Sequence, residues 1–177
     1  MTQPAKNTDM NADNFVFYIE RTFDAPRERV WKAWTDEREL TLWFGPKGCP
    51  ITYGKLDFRV GGTYLYRMDM PSGEQWWGQW TFEEIVAPEK LVMITCFSNE
   101  NAEMTRHPLA PGWPLQMRSV TRFTEKNGKT TISLEWTAHN ANEAERQTFF
   151  EGRESMTKGW GGTFEQLEAY LAEGGAA

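Results

Sequence analysis

The sequence predicts a single α+β domain in which a run of antiparallel strands is followed by one long C-terminal helix. Three observations predict it: apolar residues alternate in several segments, hairpin signals separate these segments, and the last apolar stripe has helical spacing. Strands in succession with segregated helices are typical of α+β folds. We assign the domain to residues 15–173, after a polar lead-in at 1–14 that we expect to be disordered and before a flexible tail at 174–177.

The N-terminal elements are one strand and two short helices. Alternating apolar and polar residues predict a strand over residues 15–23, with one buried face. Asp24 is the expected cap of the first helix, with Pro26 in its first turn. Thr35 or Asp36 then begins the second helix, which ends before the next Gly-Pro pair.

Six further strands follow, separated by turn signals. Pro71-Ser72-Gly73 marks one hairpin turn, and Asn127-Gly128 is the strongest short-range hairpin signal in the chain. Residues 98–114, which contain three prolines, are predicted to form a long loop. The expected strands cover residues 51–58, 63–70, 75–86, 91–97, 115–124 and 129–138.

The C-terminal segment predicts one long helix that ends at about residue 172, with Asn140 or Asn142 as its cap. Each glycine within a helix costs about 1 kcal/mol relative to alanine, so the glycines in this segment need a cause. Either the helix packs closely on the sheet or it leaves room for a ligand, and in both cases we expect a kink near Gly159–Gly162. The apolar stripe is Phe149, Met156, Trp160, Thr163, Leu167 and Leu171, and the glycines are Gly152, Gly159, Gly161 and Gly162.

Composition and charge exclude several classes of protein. The formal net charge of −6 argues against a nucleic-acid partner, which requires a basic surface. No apolar run approaches the roughly 20 residues of a membrane span, and the polar N-terminus is no secretory signal. Cys49 and Cys96 are far apart and form no paired motif, so we expect two free thiols and a cytoplasmic protein.

Aromatic residues make up 14% of the chain, with nine Trp, eleven Phe and five Tyr. A solid core rarely needs so many tryptophans, because each is large and carries an N–H group that requires a partner. Together with the glycines of the last helix, the rings favour a cavity between sheet and helix.

No catalytic or metal-binding motif is present, and we expect no metal and no cofactor. His107 lies in the long loop and His139 at a strand end, and we expect a solvated His107 rather than an acid or base at a pocket mouth. Either alternating set of residues on a strand can face the cavity, because a slip of one residue exchanges the buried and exposed faces. Most charged strand residues should face solvent, namely Glu20, Arg21, Asp57, Arg59, Arg67, Glu83, Arg118 and Arg122.

Five segments in order resemble the proteins related to the activator of Hsp90 ATPase, within the START-like, or SRPBCC, superfamily. They are FDAPRERVWKAWTDERELTLWFGP at 23–46, LDFRVGGTYLYRM at 56–68, GQWTFEEIVAPEKLVMI at 78–94, FTEKNGKTTISLEW at 123–136 and FEGRESMTKGWGGTFEQLEAYLA at 150–172. The resemblance implies a helix-grip (START/Bet v 1-like) fold. In this fold a curved seven-stranded antiparallel sheet wraps around a long C-terminal helix, two short helices follow strand 1, and a hydrophobic pocket lies between sheet and helix.

The Hsp90 activators of this family carry a separate N-terminal domain that engages the chaperone. Here only residues 1–14, which are mostly polar, precede the first predicted strand, so we expect no stimulation of Hsp90.

The candidate ligand-binding residues are the large side chains that the predicted elements place around the pocket. They are Trp31, Trp43, Phe44, Tyr64, Tyr66, Trp76, Trp80, Phe97, Trp113, Met117, Met156 and Trp160.

Three hypotheses of function follow. The first is a carrier or sensor that binds a small hydrophobic molecule, whether aromatic, lipid-like or polyketide-like. The second is an enzyme, such as a cyclase, hydrolase or isomerase, which requires a titratable side chain in the pocket. The third is a co-chaperone, which predicts an exposed patch and binding to Hsp90. An aromatic surface patch could also support a homodimer.

Overall fold

The computed structural model describes residues 11–174 and contains an open, curved antiparallel sheet with four helices. The helices are α1 (Arg27–Thr35), α2 (Glu37–Trp43), α3 (Glu143–Glu151) and α4 (Arg153–Ala172). The strands are β1 (Phe17–Phe23), β2 (Ile51–Leu56), β3 (Thr63–Asp69), β4 (Gln75–Val86), β5 (Lys90–Ser98), β6 (Met104–Thr105), β7 (Gln116–Lys126) and β8 (Lys129–His139). The sheet order is β1-β8-β7-β5-β4-β3-β2, with β6 paired only to β5.

This arrangement confirms the α+β, helix-grip architecture. Helix α4 lies against the sheet, where the ring of Phe164 contacts that of Phe23 in β1 at a centroid distance of 5.7 Å. Met156 and Leu167 are buried on the same helix, as the predicted apolar stripe requires. The core therefore sits between the concave face of the sheet and α4.

The β7–β8 hairpin is confirmed at its predicted turn. Asn127 and Gly128 both have positive φ, at 52° and 73°, which is the conformation of a type I′ hairpin turn. The segment 98–114 is not the simple loop that was predicted, because it contains the short strand β6.

The first two helices begin differently. The prediction of Asp24 as a cap is wrong: Pro26 is the N-cap of α1 and makes no side-chain capping bond. Asp24 instead lies 3.8 Å from the ammonium of Lys129. For α2 the structure selects Asp36, whose carboxylate accepts hydrogen bonds from the backbone N–H groups of Arg38 and Glu39.

The predicted single C-terminal helix is two helices. Asn142 caps α3 through a capping box with Glu145, and Gly152 separates α3 from α4. A Cβ atom at Gly152 would lie 2.7 Å from Cζ3 of Trp113, so that ring occupies the space beside the break. Helix α4 continues through Gly159–Gly162, and the expected kink at these residues stays a prediction.

The apolar phase of the strands faces the core. Arg118 alternates with the buried Met117 and Ser119, and its guanidinium lies 3.0 Å from Glu83 on the opposite face of the sheet. Arg21 shares the inner phase of β1, and its guanidinium lies 3.5 Å from Glu168 at the edge of the core.

The chain before β1 is described from residue 11 onward. Residues 11–14, which the sequence assigns to the lead-in, include a turn, and Arg146 of α3 lies 3.0 Å from the carboxylate of Asp13. Residues 1–10 and 175–177 of the predicted lead-in and tail lie outside the described residues. Cys49 and Cys96 are both free.

Candidate functional site

A cavity of about 240 Å³ lies between the concave face of the sheet and α4. We call it the central cavity. Its wall comes from the end of α2, from β3, β4, β5, β7 and β8, and from one face of α4. The lining residues are Phe44, Gly45, Pro46, Tyr66, Met68, Trp77, Trp80, Met93, Thr95, Cys96, Phe97, Met117, Ser119, Trp136, Met156, Gly159, Trp160 and Thr163.

Strand register explains why residues distant in sequence meet on this wall. Residues paired across antiparallel strands share one face of the sheet, so each set of partners forms a row across the concave side. Three such rows face the cavity: Tyr66–Gly78–Phe97, Trp80–Thr95–Met117 and Met93–Ser119–Trp136.

Phe44, the C-cap residue of α2, closes one side of the cavity with its ring. Its centroid lies 4.9 Å from Trp80, 5.3 Å from Tyr66 and 6.4 Å from Trp160, with interplanar angles typical of edge-to-face contacts. These four rings connect α2, the sheet and α4 around one space.

The ring of Tyr66 can lie over β4 because residue 78 is a glycine. A Cβ atom there would lie only 2.4 Å from the phenol oxygen of Tyr66. Burial raises the pKa of Tyr66 well above its ordinary value. Burial also raises the pKa of the Cys96 thiol to about 11. Both groups are therefore neutral near pH 7, and the described lining includes no Asp, Glu, His, Lys or Arg.

Two aliphatic hydroxyl groups lie on the sheet wall, in addition to the phenol of Tyr66. Thr95 Oγ1 accepts a hydrogen bond from the indole N–H of Trp136 at 3.1 Å, and its own hydroxyl lies 3.5 Å from the carbonyl oxygen of Met117. Ser119 Oγ lies 3.4 Å from Oγ1 of Thr121. Ser119 is 1% exposed and Thr95 is 8% exposed, so neither hydroxyl is well hydrated.

The predicted site residues divide into two sets. The central cavity brings together Phe44, Tyr66, Trp80, Phe97, Met117, Met156 and Trp160.

The other predicted residues lie outside the lining. Trp31 contacts Phe58 and Phe123, the buried Trp43 donates its indole N–H to the carbonyl of Ala33, and the buried Tyr64 stacks on Tyr66. Trp76 and Trp113 lie beside His107.

The His107 cluster is a second group of rings at the end of the central cavity. The imidazole centroid lies 4.6 Å from Phe97, 5.4 Å from Trp76 and 6.1 Å from Trp113. Burial lowers the pKa of His107, and its Nδ1 accepts a hydrogen bond from the backbone N–H of Leu109 at 3.0 Å. The expected solvated loop histidine is therefore half-buried, and it reaches the cavity only through Phe97, which belongs to both groups.

The sequence interpretation missed several lining residues. Trp136 and Ser119 lie on strands that were predicted, but their place on the cavity wall depends on the pairing of β7 with β8. The signal was available: the Asn127-Gly128 turn sets that register, and counting outward from it pairs Ser119 with Trp136. The remaining missed residues are Gly45, Pro46, Met68, Trp77, Met93, Thr95, Cys96, Gly159 and Thr163.

Within residues 11–174, no cluster of three or more His, Cys, Asp or Glu side chains could hold a metal ion. None of the helices described within this range has both the length and the hydrophobicity of a membrane span.

Comparison with solved structures shows the same fold in bacterial proteins. A protein from Arthrobacter aurescens, solved by NMR, is 28% identical with a TM-score of 0.76, over 96% of this chain and 93% of that chain. Protein Ms6760 from Mycobacterium smegmatis is 25% identical with a TM-score of 0.73, over 95% of this chain and 97% of that one. Protein NE0264 from Nitrosomonas europaea, at 23% identity, has a TM-score of 0.70 over 89% of this chain and 94% of that one, and supports the fold alone.

A search of curated proteins found no match. The family model described as Activator of Hsp90 ATPase homolog 1-like protein matches residues 24–172. Because this match spans both short helices, the sheet from β2 to β8 and the last helix, the chain belongs to the family of Activator of Hsp90 ATPase homolog 1-like proteins.

Proposed function

We propose that the protein binds a small, neutral, hydrophobic molecule with an aromatic ring system in the central cavity. The observation that carries this proposal is the cavity itself, about 240 Å³ in volume and lined mainly by rings and methionines. An apolar cavity of about 150 Å³ is large enough to hold benzene, whereas drug-sized ligands occupy sites of about 300–1,000 Å³. The volume therefore favours a ligand of one or two rings.

The chemistry of the lining favours an uncharged ligand. A buried charge without a partner is strongly disfavoured, and the described lining offers no side chain of opposite charge. Tyr66 and Cys96 are the lining groups whose pKa values are raised by burial, and neither is ionised near pH 7. These properties support binding rather than acid–base catalysis as the role of the cavity.

Isothermal titration calorimetry with tetralin, a neutral two-ring hydrocarbon, tests the proposal. We expect saturable binding at one site, and we expect Gly159→Leu to weaken it. A Cβ atom at Gly159 meets no heavy atom within 4 Å, so a larger side chain extends into the cavity or its opening. Apolar contact contributes about 25 cal/mol per Å², so a leucine that displaces part of the ligand contact should weaken binding by roughly tenfold.

Gly161→Leu is the matched control. Gly161 lies on the same helix, a Cβ atom there also meets no heavy atom within 4 Å, and the residue does not line the central cavity. Affinity for tetralin close to that of the wild type is expected for this variant. If tetralin and related one- and two-ring hydrocarbons do not bind the wild-type protein, the proposal is wrong.

We place this binding function in the cytoplasm, because two free cysteines are typical of a reducing compartment. A homodimer stays a prediction, which sedimentation velocity of the ligand-free protein would check.

A further inference from the structure

We propose that the ligand carries one neutral carbonyl group, and that its oxygen accepts hydrogen bonds from the hydroxyls of Ser119 and Thr95 on the sheet wall of the central cavity. This inference rests on the proposed function, since it names the chemical group that the same cavity recognises.

Both hydroxyl protons lack a good partner within the described protein. The Thr95 hydroxyl donates to the Met117 carbonyl at 3.5 Å, and the Ser119 hydroxyl pairs with Thr121 Oγ1 at 3.4 Å, where either oxygen can be the donor. Hydrogen bonds between oxygen atoms are usually about 2.7–2.8 Å long, so both contacts are weak. Buried polar groups are nearly always well paired, because an unsatisfied hydroxyl in an apolar environment is unfavourable. Two poorly engaged donors on one cavity wall therefore indicate a place for an acceptor.

The register brings the two hydroxyls onto the same surface. Ser119 pairs with Met93 and Thr95 pairs with Met117, so Ser119 and Thr95 are diagonal neighbours on the inner face of β5 and β7. The Trp136 side chain spans this diagonal, since Trp136 pairs with Ser119 and its indole N–H reaches Thr95 at 3.1 Å. One ligand atom between the two hydroxyls can contact both.

The Trp136 contact also selects the kind of group. Its N–H occupies a lone pair of Thr95 Oγ1, which leaves that hydroxyl to act as a donor. A carbonyl oxygen has two lone pairs and no proton, and therefore matches two donor hydroxyls. A carboxylate is disfavoured, because the described lining holds no Lys, Arg or His to balance its charge.

The test compares 1-tetralone with 1-methyltetralin, which share a ring system and differ in a carbonyl oxygen against a methyl group. Calorimetry gives the affinity ratio of the two probes for the wild type, Ser119→Ala and Thr95→Val. A net hydrogen bond of the usual strength corresponds to about 2- to 10-fold in affinity. We expect each substitution to lower the ratio of 1-tetralone to 1-methyltetralin affinity by about that factor, with little change for 1-methyltetralin.

Thr121→Val is the matched control, because Thr121 is buried, does not line the cavity and is the present neighbour of the Ser119 hydroxyl. Its affinity ratio should equal or exceed that of the wild type. Thr95→Ser, which retains the hydroxyl, should keep the wild-type ratio and so separates donation from packing.

Three results would overturn the inference. If both probes bind and Ser119→Ala and Thr95→Val leave the ratio unchanged, the carbonyl site is wrong while the proposed function stands. If Thr121→Val lowers the ratio as much as Ser119→Ala, the effect comes from the polar pair in the core rather than from contact with the ligand. If neither probe binds the wild type, the proposed function fails as well.

Discussion

Gly159 and Gly161 lie two residues apart in α4, and a Cβ atom at either would meet no heavy atom within 4 Å. Steric demand therefore explains neither glycine. Helix propensity disfavours both, since glycine is about 1 kcal/mol less favourable than alanine within a helix. Gly159 lines the central cavity and Gly161 does not. Substitution of each glycine can therefore distinguish its effect on the free energy of unfolding from its effect on ligand affinity.

We expect Gly159→Ala and Gly161→Ala each to raise the free energy of unfolding by about 0.5–1 kcal/mol, because alanine loses less backbone entropy on folding. Urea denaturation monitored by circular dichroism measures this difference. The two variants should differ in binding: Gly159→Ala narrows the cavity and weakens the affinity for tetralin, whereas Gly161→Ala leaves that affinity unchanged. Destabilisation by either substitution would show that its glycine has a steric role.

At the scale of elements, the junction of α3 and α4 is held by a contact across a long sequence separation. Gly152 ends α3, and the ring of Trp113, from the segment between β6 and β7, occupies the space where a Cβ atom would lie. Trp113 also contacts Phe149 at a centroid distance of 5.3 Å, so the ring spans the end of α3. The requirement for glycine at this break therefore has a tertiary cause.

A double-mutant cycle tests this cause. Gly152→Ala alone should lower the free energy of unfolding by about 1–3 kcal/mol, because the added methyl group overpacks the contact with Trp113. In a Trp113→Ala background the same change should be neutral or stabilising, because the space is open and the φ of −75° at residue 152 suits alanine. Chemical denaturation of the four proteins gives the coupling energy. Equal effects of Gly152→Ala in both backgrounds would refute the role of Trp113.

These elements show which features can be read from sequence. The β7–β8 hairpin was predictable because its turn residues, Asn127 and Gly128, are adjacent and require positive φ. The need for glycine at the helix break was not, because it comes from Trp113, which lies far from Gly152 in sequence. Asp24 failed as a cap for a different reason: Pro26 already occupies the N-cap position, so the side chain of Asp24 is free to approach Lys129.

For the molecule as a whole, the aromatic composition correctly indicated rings around a space, but it did not identify which rings. Phe44 and Trp80 line the central cavity, whereas Trp31 and Trp43 pack into the core around α1 and α2. All four residues are large aromatics in predicted helices or strands or directly beside them, so residue type and spacing do not separate the two pairs. Only the packing of α1 and α2 on the sheet decides which rings line the cavity. Ser119 and Thr95 were missed because a buried hydroxyl has no signature in sequence until strand register places it.

Two titratable groups lie where the segment between β5 and β7 meets α3. Burial lowers the pKa of His107 below 6.5. The hydrogen bond from Arg106, followed by that from the backbone of Asn142, lowers the pKa of Glu145 below 4.5. In both cases the unfolded chain binds a proton at a higher pH than the folded chain does, so falling pH favours unfolding. The two groups act in different ranges, first His107 below about pH 6.5 and then Glu145 below about pH 4.5.

We therefore expect the free energy of unfolding to fall in two acid steps, each assignable to one side chain. His107→Gln, which stays neutral, should reduce the loss of stability on acidification from about pH 7 to about pH 5. His139→Gln is its control and should retain the loss in that range. Glu145→Gln keeps a residue suited to the capping box but loses the ion pair with Arg106, and it should flatten the step below about pH 4.5. Urea denaturation across this pH series measures both steps. If His107→Gln loses as much stability between about pH 7 and about pH 5 as the wild type does, His107 does not cause the first step. The loss of stability in that range would then arise from groups away from the contact between the β5–β7 segment and α3.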